Sequence, residues 1–310
     1  RAKRYTSERA SGSVEYRSIP GRPGTFSALG LSFATGAGRR EVSGALSSAG
    51  LFQRASEAGV TFFDAIWHSA PAEVVRLARA SPMGASRFVI AVGVDPGAPD
   101  PGSSAAAPPG EWPTILPIAR DPSRSDLQSP EFVRGMERSV VAFGAPVWGA
   151  AWRSAADAQL CGAAAIASGA RLLALPASLL SFDAAVELGG PASDAGAGMV
   201  GLDPMAAGAL DGSFLTGSPL ERGPSSRPST LGELTERLGP ITQLGFLTEG
   251  RRRTLAQAAV RFVLDLPTFV SVSLEIRSPS TIVELAQIER VPRLSAGELE
   301  RLSRLGARTG

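Results

Sequence analysis

The chain is short of the side chains that most enzyme chemistry uses. Its 310 residues include one cysteine, one histidine and two tyrosines. Lys3 is the single lysine, and both tyrosines, Tyr5 and Tyr16, fall near the start. One cysteine, Cys161, excludes an internal disulfide framework and a cysteine-based zinc cluster. One histidine, His68, excludes a histidine-rich metal site. No apolar run is long enough to span a bilayer. The opening "RAKRYTSERASGS" lacks the apolar core of a secretory signal. The expectation is a soluble, cytoplasmic protein with no membrane partner.

Charge is also scarce in net terms. The pI of about 9.2 reflects a formal net charge of only +2. The visible basic clusters are the N-terminal tail and "RRR" at 251–253. Thr254 and Gln257 have the spacing of a capping box, so these arginines read as a solvated loop before a helix. No nucleic-acid-binding motif accompanies them, and no nucleic-acid partner is expected.

Hydrophobic residues make up 44% of the chain, enough for a large core. β-rich runs alternate with helical patterns, the signature of βαβ units around a parallel sheet. The strand candidates are 26–33, 61–66, 87–95, 114–121, 146–152, 171–178, 199–206 and 269–276. The helix candidates are 45–60, 71–81, 130–144, 154–170, 183–197, 230–239, 254–267, 279–290 and 295–306. Eight strands with intervening helices predict an α/β fold, a (β/α)8 TIM barrel. Residues 1–13 read as a disordered tail and 14–310 as a single domain. "VEYRSIPGRPGT" suggests an N-terminal β-hairpin under the barrel. A Pro/Gly/Ala-rich loop, 96–112, replaces the third barrel helix. A loop of that length without secondary structure is usually functional or disordered. The flank it uncovers is a plausible homodimer contact.

Chemistry in such a barrel sits at the C-terminal ends of the strands. The residues expected there are Ser32, Asp64, Asp95, Arg120, Asp121, Trp152, Arg153, Ser178, Asp203, Glu275 and Arg277. Trp67, His68 and Ser69 follow Asp64 in the same loop, and Met205 follows Asp203.

In detail the chain resembles the aldo-keto reductases. "ASEAGVTFFDA" is similar to that family's "ALEAGINFFDTA". "MVGLDPMAAGALDG" looks like "VIAYSPLAGGLLTG", and "RRRTLAQAAVRFVL" like "VTLAQLALAWVL". "SVSLEIRSPSTIVELA" parallels "SVIPGARSPEQLEENL". These matches run in order over roughly residues 14–306, and the resemblance implies a barrel of that type.

The resemblance also implies carbonyl reduction with NADPH by an Asp, Tyr, Lys and His tetrad. Tyrosine is the general acid there, its pKa lowered from about 10 by the lysine that pairs with the aspartate. Asp64 matches the aspartate. The tyrosine falls on Ser69, the lysine on Gly93, and the histidine on Arg120, or on Ala119 with a one-residue slip. No realignment restores the tetrad, because no lysine or tyrosine follows Tyr16. The cofactor positions differ as well. The pair that would hold the carboxamide is Ala151-Trp152, and Leu202 and Asp203 replace a stacking tyrosine and its serine. Glu275 puts a carboxylate where phosphates would approach, beside a vestigial Arg277. The expectation is no cofactor, with Trp152 filling part of the vacated nicotinamide space.

Several readings of the remaining residues stay open. Asp64 is either an inherited carboxylate accepting backbone or serine hydrogen bonds, or a catalytic group with Arg120 as replacement partner. His68 is either a loop histidine or a general acid–base with an ordinary pKa of about 6.5, oriented by Asp64 or Asp95. Trp67 and Trp152 pack on each other or wall a ligand pocket. Asp203 caps a turn. Arg120-Asp121 and Arg153 form surface ion pairs or clamp a ligand carboxylate. Ser32 and Ser69 are weak nucleophile candidates without a supporting elbow motif.

Three functions compete. The first assigns redox-neutral acid–base chemistry (cyclisation, dehydration or isomerisation) on a small molecule in bacterial secondary metabolism. His68, Asp64, Asp95 and Arg120 would be catalytic. Ser32, Trp67, Ser69, Trp152, Arg153, Asp203 and Met205 would shape the pocket. The second is a non-catalytic binding or scaffold protein, and the third an NADPH-dependent reductase with unorthodox residues.

Overall fold

A short antiparallel hairpin leads into the barrel. Its arms are β1 (Tyr16–Arg17) and β2 (Phe26–Ser27). The computed structural model describes residues 14–33, 48–96, 112–211, 239, 241–275 and 279–306. The barrel strands are β3 (Leu29–Ser32), β4 (Phe62–Ala65), β5 (Val89–Val94) and β6 (Thr114–Arg120), then β7 (Gly149–Ala151), β8 (Leu172–Pro176), β9 (Gly198–Leu202) and β10 (Phe269–Leu274). All eight pair in parallel and close, β10 joining both β9 and β3.

Helices α1 (Ser48–Glu57), α2 (Pro71–Arg79), α3 (Arg124–Gln128), α4 (Pro130–Phe143), α5 (Ala155–Ala167) and α6 (Asp183–Asp194) follow in chain order. After them come α7 (Leu255–Asp265), α8 (Pro279–Ala286) and α9 (Ala296–Gly306). Local chemistry starts these helices where polar side chains satisfy their first amides. Thr254 and Gln257 form a reciprocal capping box on α7, and Ser154 accepts from Asp157 N on α5. Pro71 opens α2 at a position where its missing N–H is harmless. The short α3, with its own Ser123–Asp126 capping box, lies in a stretch read as connection.

Successive strand residues face opposite ways, and the core divides accordingly. Phe62, Ala91, Leu116, Ile118, Ala151, Leu172, Ala174, Val200 and Leu202 form one buried cluster inside the barrel. Leu31, Phe63, Ile90, Val92, Ala150, Leu173 and Met199 belong to the cluster between strands and helices. There Phe52 stacks on Phe63 at 4.3 Å between ring centroids, and Phe88 meets Phe52 edge-on at 5.2 Å.

Three sequence readings change. The first strand, expected over 26–33, is two strands parted at Ala28. The hydroxyl of Ser27 accepts from Thr61 N (2.8 Å) and Phe62 N (3.1 Å) and donates to Leu29 O, which turns the chain out of the hairpin into the barrel. The hairpin's second arm is therefore Phe26–Ser27. Arg253, read as part of a solvated loop, is buried; it donates to the carbonyls of Leu247, Pro292 and Arg293 and pairs with Glu298. The 1–13 tail, nearly all of the 96–112 loop, and the 230–239 helix apart from Gly239 lie outside the described residues. Among the described residues no helix is long and apolar enough to cross a membrane.

Phe62 fills the barrel interior because Gly30 has no side chain. A Cβ at Gly30 would stand 2.3 Å from Cδ1 of Phe62 and 3.1 Å from Val272 O. Gly30→Ala should destabilise the fold by about 1–3 kcal/mol through overpacking. The readout is the urea midpoint; an unchanged midpoint would show that the ring can step aside.

Candidate functional site

The strand alternation carries Ser32, Asp64, Gly93, Arg120, Ala151, Leu202 and Ser273 to the inner face near the C-terminal ends. Asp64 lies beside Ser32 in the β3–β4 register and is only 2% exposed. One carboxylate oxygen accepts from Ile66 N at 2.9 Å, the other from the Ser273 hydroxyl at 2.8 Å. Burial pushes its pKa up to about 6; the two hydrogen bonds pull it down, and the Glu275 charge pushes it further up. Ser273 escaped the sequence reading, although "SVS" at 271–273 places two serines on the inward phase of β10.

Arg120 is not the partner of Asp64. Its Nη2 donates to Asp95 Oδ2 at 2.6 Å, and its stem crosses Gly93. A Cβ at Gly93 would stand 2.1 Å from Ile66 O, 2.6 Å from Arg120 Cδ and 3.0 Å from Arg120 Cγ. The position that the family resemblance gives to a lysine is thus closed by its neighbours.

His68 sits in the loop after β4, half-buried, with its ring edge-on to Phe33 at 6.4 Å. Its Nδ1 accepts from Ala70 N at 2.9 Å. That bond fixes the neutral tautomer with the proton on Nε2. Among the described residues no carboxylate hydrogen-bonds this ring, so the orienting role expected of Asp64 or Asp95 is filled by a backbone amide. Ser69, next in the loop, is exposed.

The two tryptophans part company. Trp152 is fully buried in the cluster between strands and helices, and its indole N–H donates to Pro122 O at 3.1 Å. It follows inward-facing Ala151 and so points outward, away from the space it was expected to fill. Trp67 packs against the inner cluster, and the Arg153 guanidinium lies 5.1 Å from its ring centroid. Asp121, in the left-handed region at φ 43°, accepts from Arg153 N at 2.8 Å and stands 3.8 Å from its guanidinium. Arg153, Asp121 and Trp67 thereby link the loops after β4, β6 and β7.

Asp203, also left-handed at φ 49°, accepts Ala207 N with both oxygens, at 2.9 and 2.7 Å. It is the turn-capping residue. Asp203, Asp211 and Glu275 line a cleft of only about 40 Å³ with Met205, Ala207, Gly208 and Thr281. Among the described residues no group of acidic, histidine and cysteine side chains is arranged to hold a metal ion. Arg277 lies outside the described residues.

No protein-family model matches the chain, and no curated protein matches its sequence. Solved structures do. The apo form of aldo-keto reductase AKR11C1 from Bacillus halodurans superposes with a TM-score of 0.65 at 16% identity, over 94% of this chain and 95% of that one. At that identity the likeness carries the fold alone: a closed, parallel eight-stranded (β/α)8 barrel like that of the reductase.

The buried carboxyl of Asp64 makes a pH signature. Its folded pKa, about 6, exceeds an unfolded value of about 3.9, so the folded chain binds the proton more tightly. Its contribution is most favourable below pH ~4 and is lost as pH rises through about 6. The amount is roughly 3 kcal/mol at about 1.4 kcal/mol per pKa unit. Asp64→Asn keeps an acceptor for Ile66 N and gives Ser273 a donor. The variant should gain stability over the wild type between pH 4 and 7.5 in urea titrations; a pH-independent difference would refute the buried, proton-binding carboxyl.

Proposed function

We propose that this aldo-keto reductase barrel has lost NADPH-dependent carbonyl reduction and works as a non-catalytic binding protein for a small molecule. The observation that carries the reading is the closed position at Gly93. A reductase of this type needs an ammonium there to lower the pKa of its tyrosine. Here the Arg120 stem and Ile66 O occupy that position, and Arg120 spends its charge on Asp95.

The cofactor does not fit the residues present. Leu202 is buried in the inner cluster at the position of the stacking ring. Three carboxylates line the small cleft after β9 and β10, where phosphates would meet like charge. Titrating the protein against NADPH fluorescence should give no saturable change, and aldehydes should not be reduced. Micromolar binding accompanied by reduction would overturn this reading.

One observation favours the redox-neutral alternative. A carboxyl with a pKa near neutrality is suited to trade protons, and Asp64 has a pKa of about 6. Cofactor-free turnover of a small molecule by the wild type, abolished in folded Asp64→Asn, would establish that alternative and end the non-catalytic one.

A further inference from the structure

The binding reading leaves open what chemistry the ligand carries, and Arg120 bears on that. It is the last residue of β6, on the inward phase set by Leu116 and Ile118. Gly93 makes room for its stem, which lies against the glycine and Ile66 O. The Asp95 contact holds the far end. The side chain is therefore placed before any ligand arrives, which lowers the ordering cost of binding.

A guanidinium has five N–H donors in a planar fork. Among the described residues Arg120 uses one group, Nη2, on Asp95; Nε and Nη1 have no protein partner there. The side chain remains 34% exposed. A guanidinium presents two bidentate edges, Nε/Nη2 and Nη1/Nη2; the single bond from Nη2 to Asp95 occupies one of them, and the other still matches the two oxygens of a carboxylate. Arg153 differs, with its guanidinium stacked over Trp67 and its charge beside Asp121.

We propose that Arg120 binds the carboxylate of a small, singly charged ligand whose apolar body lies over Trp67. The backbone oxygen of Ile66 adjoins the Arg120 stem across Gly93, and Trp67, the next residue, packs on the inner cluster while staying partly exposed. A single negative charge suits the place. Asp95 and Asp121 flank Arg120, so a dianion would meet repulsion from both.

The proposal rests on the barrel being a binding protein, and its test is separate from the NADPH titration. Benzoate and benzyl alcohol, alike in their ring but differing in charge, are titrated calorimetrically against the full chain. Benzoate should bind at least about tenfold tighter, a difference of about 1.4 kcal/mol. Arg120→Met, which keeps an unbranched apolar stem, should abolish that preference. Asp95→Asn removes the competing carboxylate and should tighten benzoate several-fold. Equal binding of the two probes by the wild type would overturn the site. So would a preference that survives in Arg120→Met or, should that variant not fold, benzoate affinity unimproved in Asp95→Asn. A chain that bound NADPH yet preferred benzoate through Arg120 would lose the non-reductase reading and keep this site.

Discussion

In a closed barrel every strand residue points either into the sealed interior or out toward the helices, and no third option exists. That constraint decides which of the chain's few chemical groups can meet. Asp64, Gly93, Arg120 and Ser273 share the inward phase and converge. Trp152 is one residue out of phase with Ala151 and lies in the helix-facing core, its indole satisfied by Pro122 O. A tryptophan expected at the mouth is thus a structural residue, through the parity of its position alone.

The charge arrangement at the mouth follows from the same geometry. Asp64 is deep enough that desolvation dominates its proton affinity, and its two hydrogen bonds do not compensate. Arg120 stands one layer higher, where its stem is covered and its head reaches Asp95. The two opposite charges do not pair, because Arg120 is drawn over Gly93 to β5 rather than back to β4. The carboxylate is left with neutral donors, which permits a proton to stay on it near neutrality.

Much of the architecture was legible beforehand. The eight strands, the order of elements and the caps of α5 and α7 follow from periodicity and short polar motifs, which are local. The hairpin register was not legible, because Ser27 bonds to Thr61 and Phe62, 34 and 35 residues away. Arg253 was misread for the same reason: its carbonyl partners Pro292 and Arg293 are about 40 residues on. At the site, Asp64 was legible as a strand-end carboxylate. Its pairing with Ser273, 209 residues distant, required the closed barrel.

Composition by itself determined which side chains the barrel strands can supply. No lysine and no tyrosine lies between residues 29 and 274, so the strands themselves bring neither an ammonium nor a phenol to the mouth. Composition is a property of the chain and survives any fold. Only the tertiary structure decided what stands in their stead. Arg120 bends over Gly93, His68 is bonded by a backbone amide rather than a carboxylate, and Trp152 turns away from the mouth. Those outcomes depend on side-chain direction and on contacts between strands far apart in sequence, which no local pattern records.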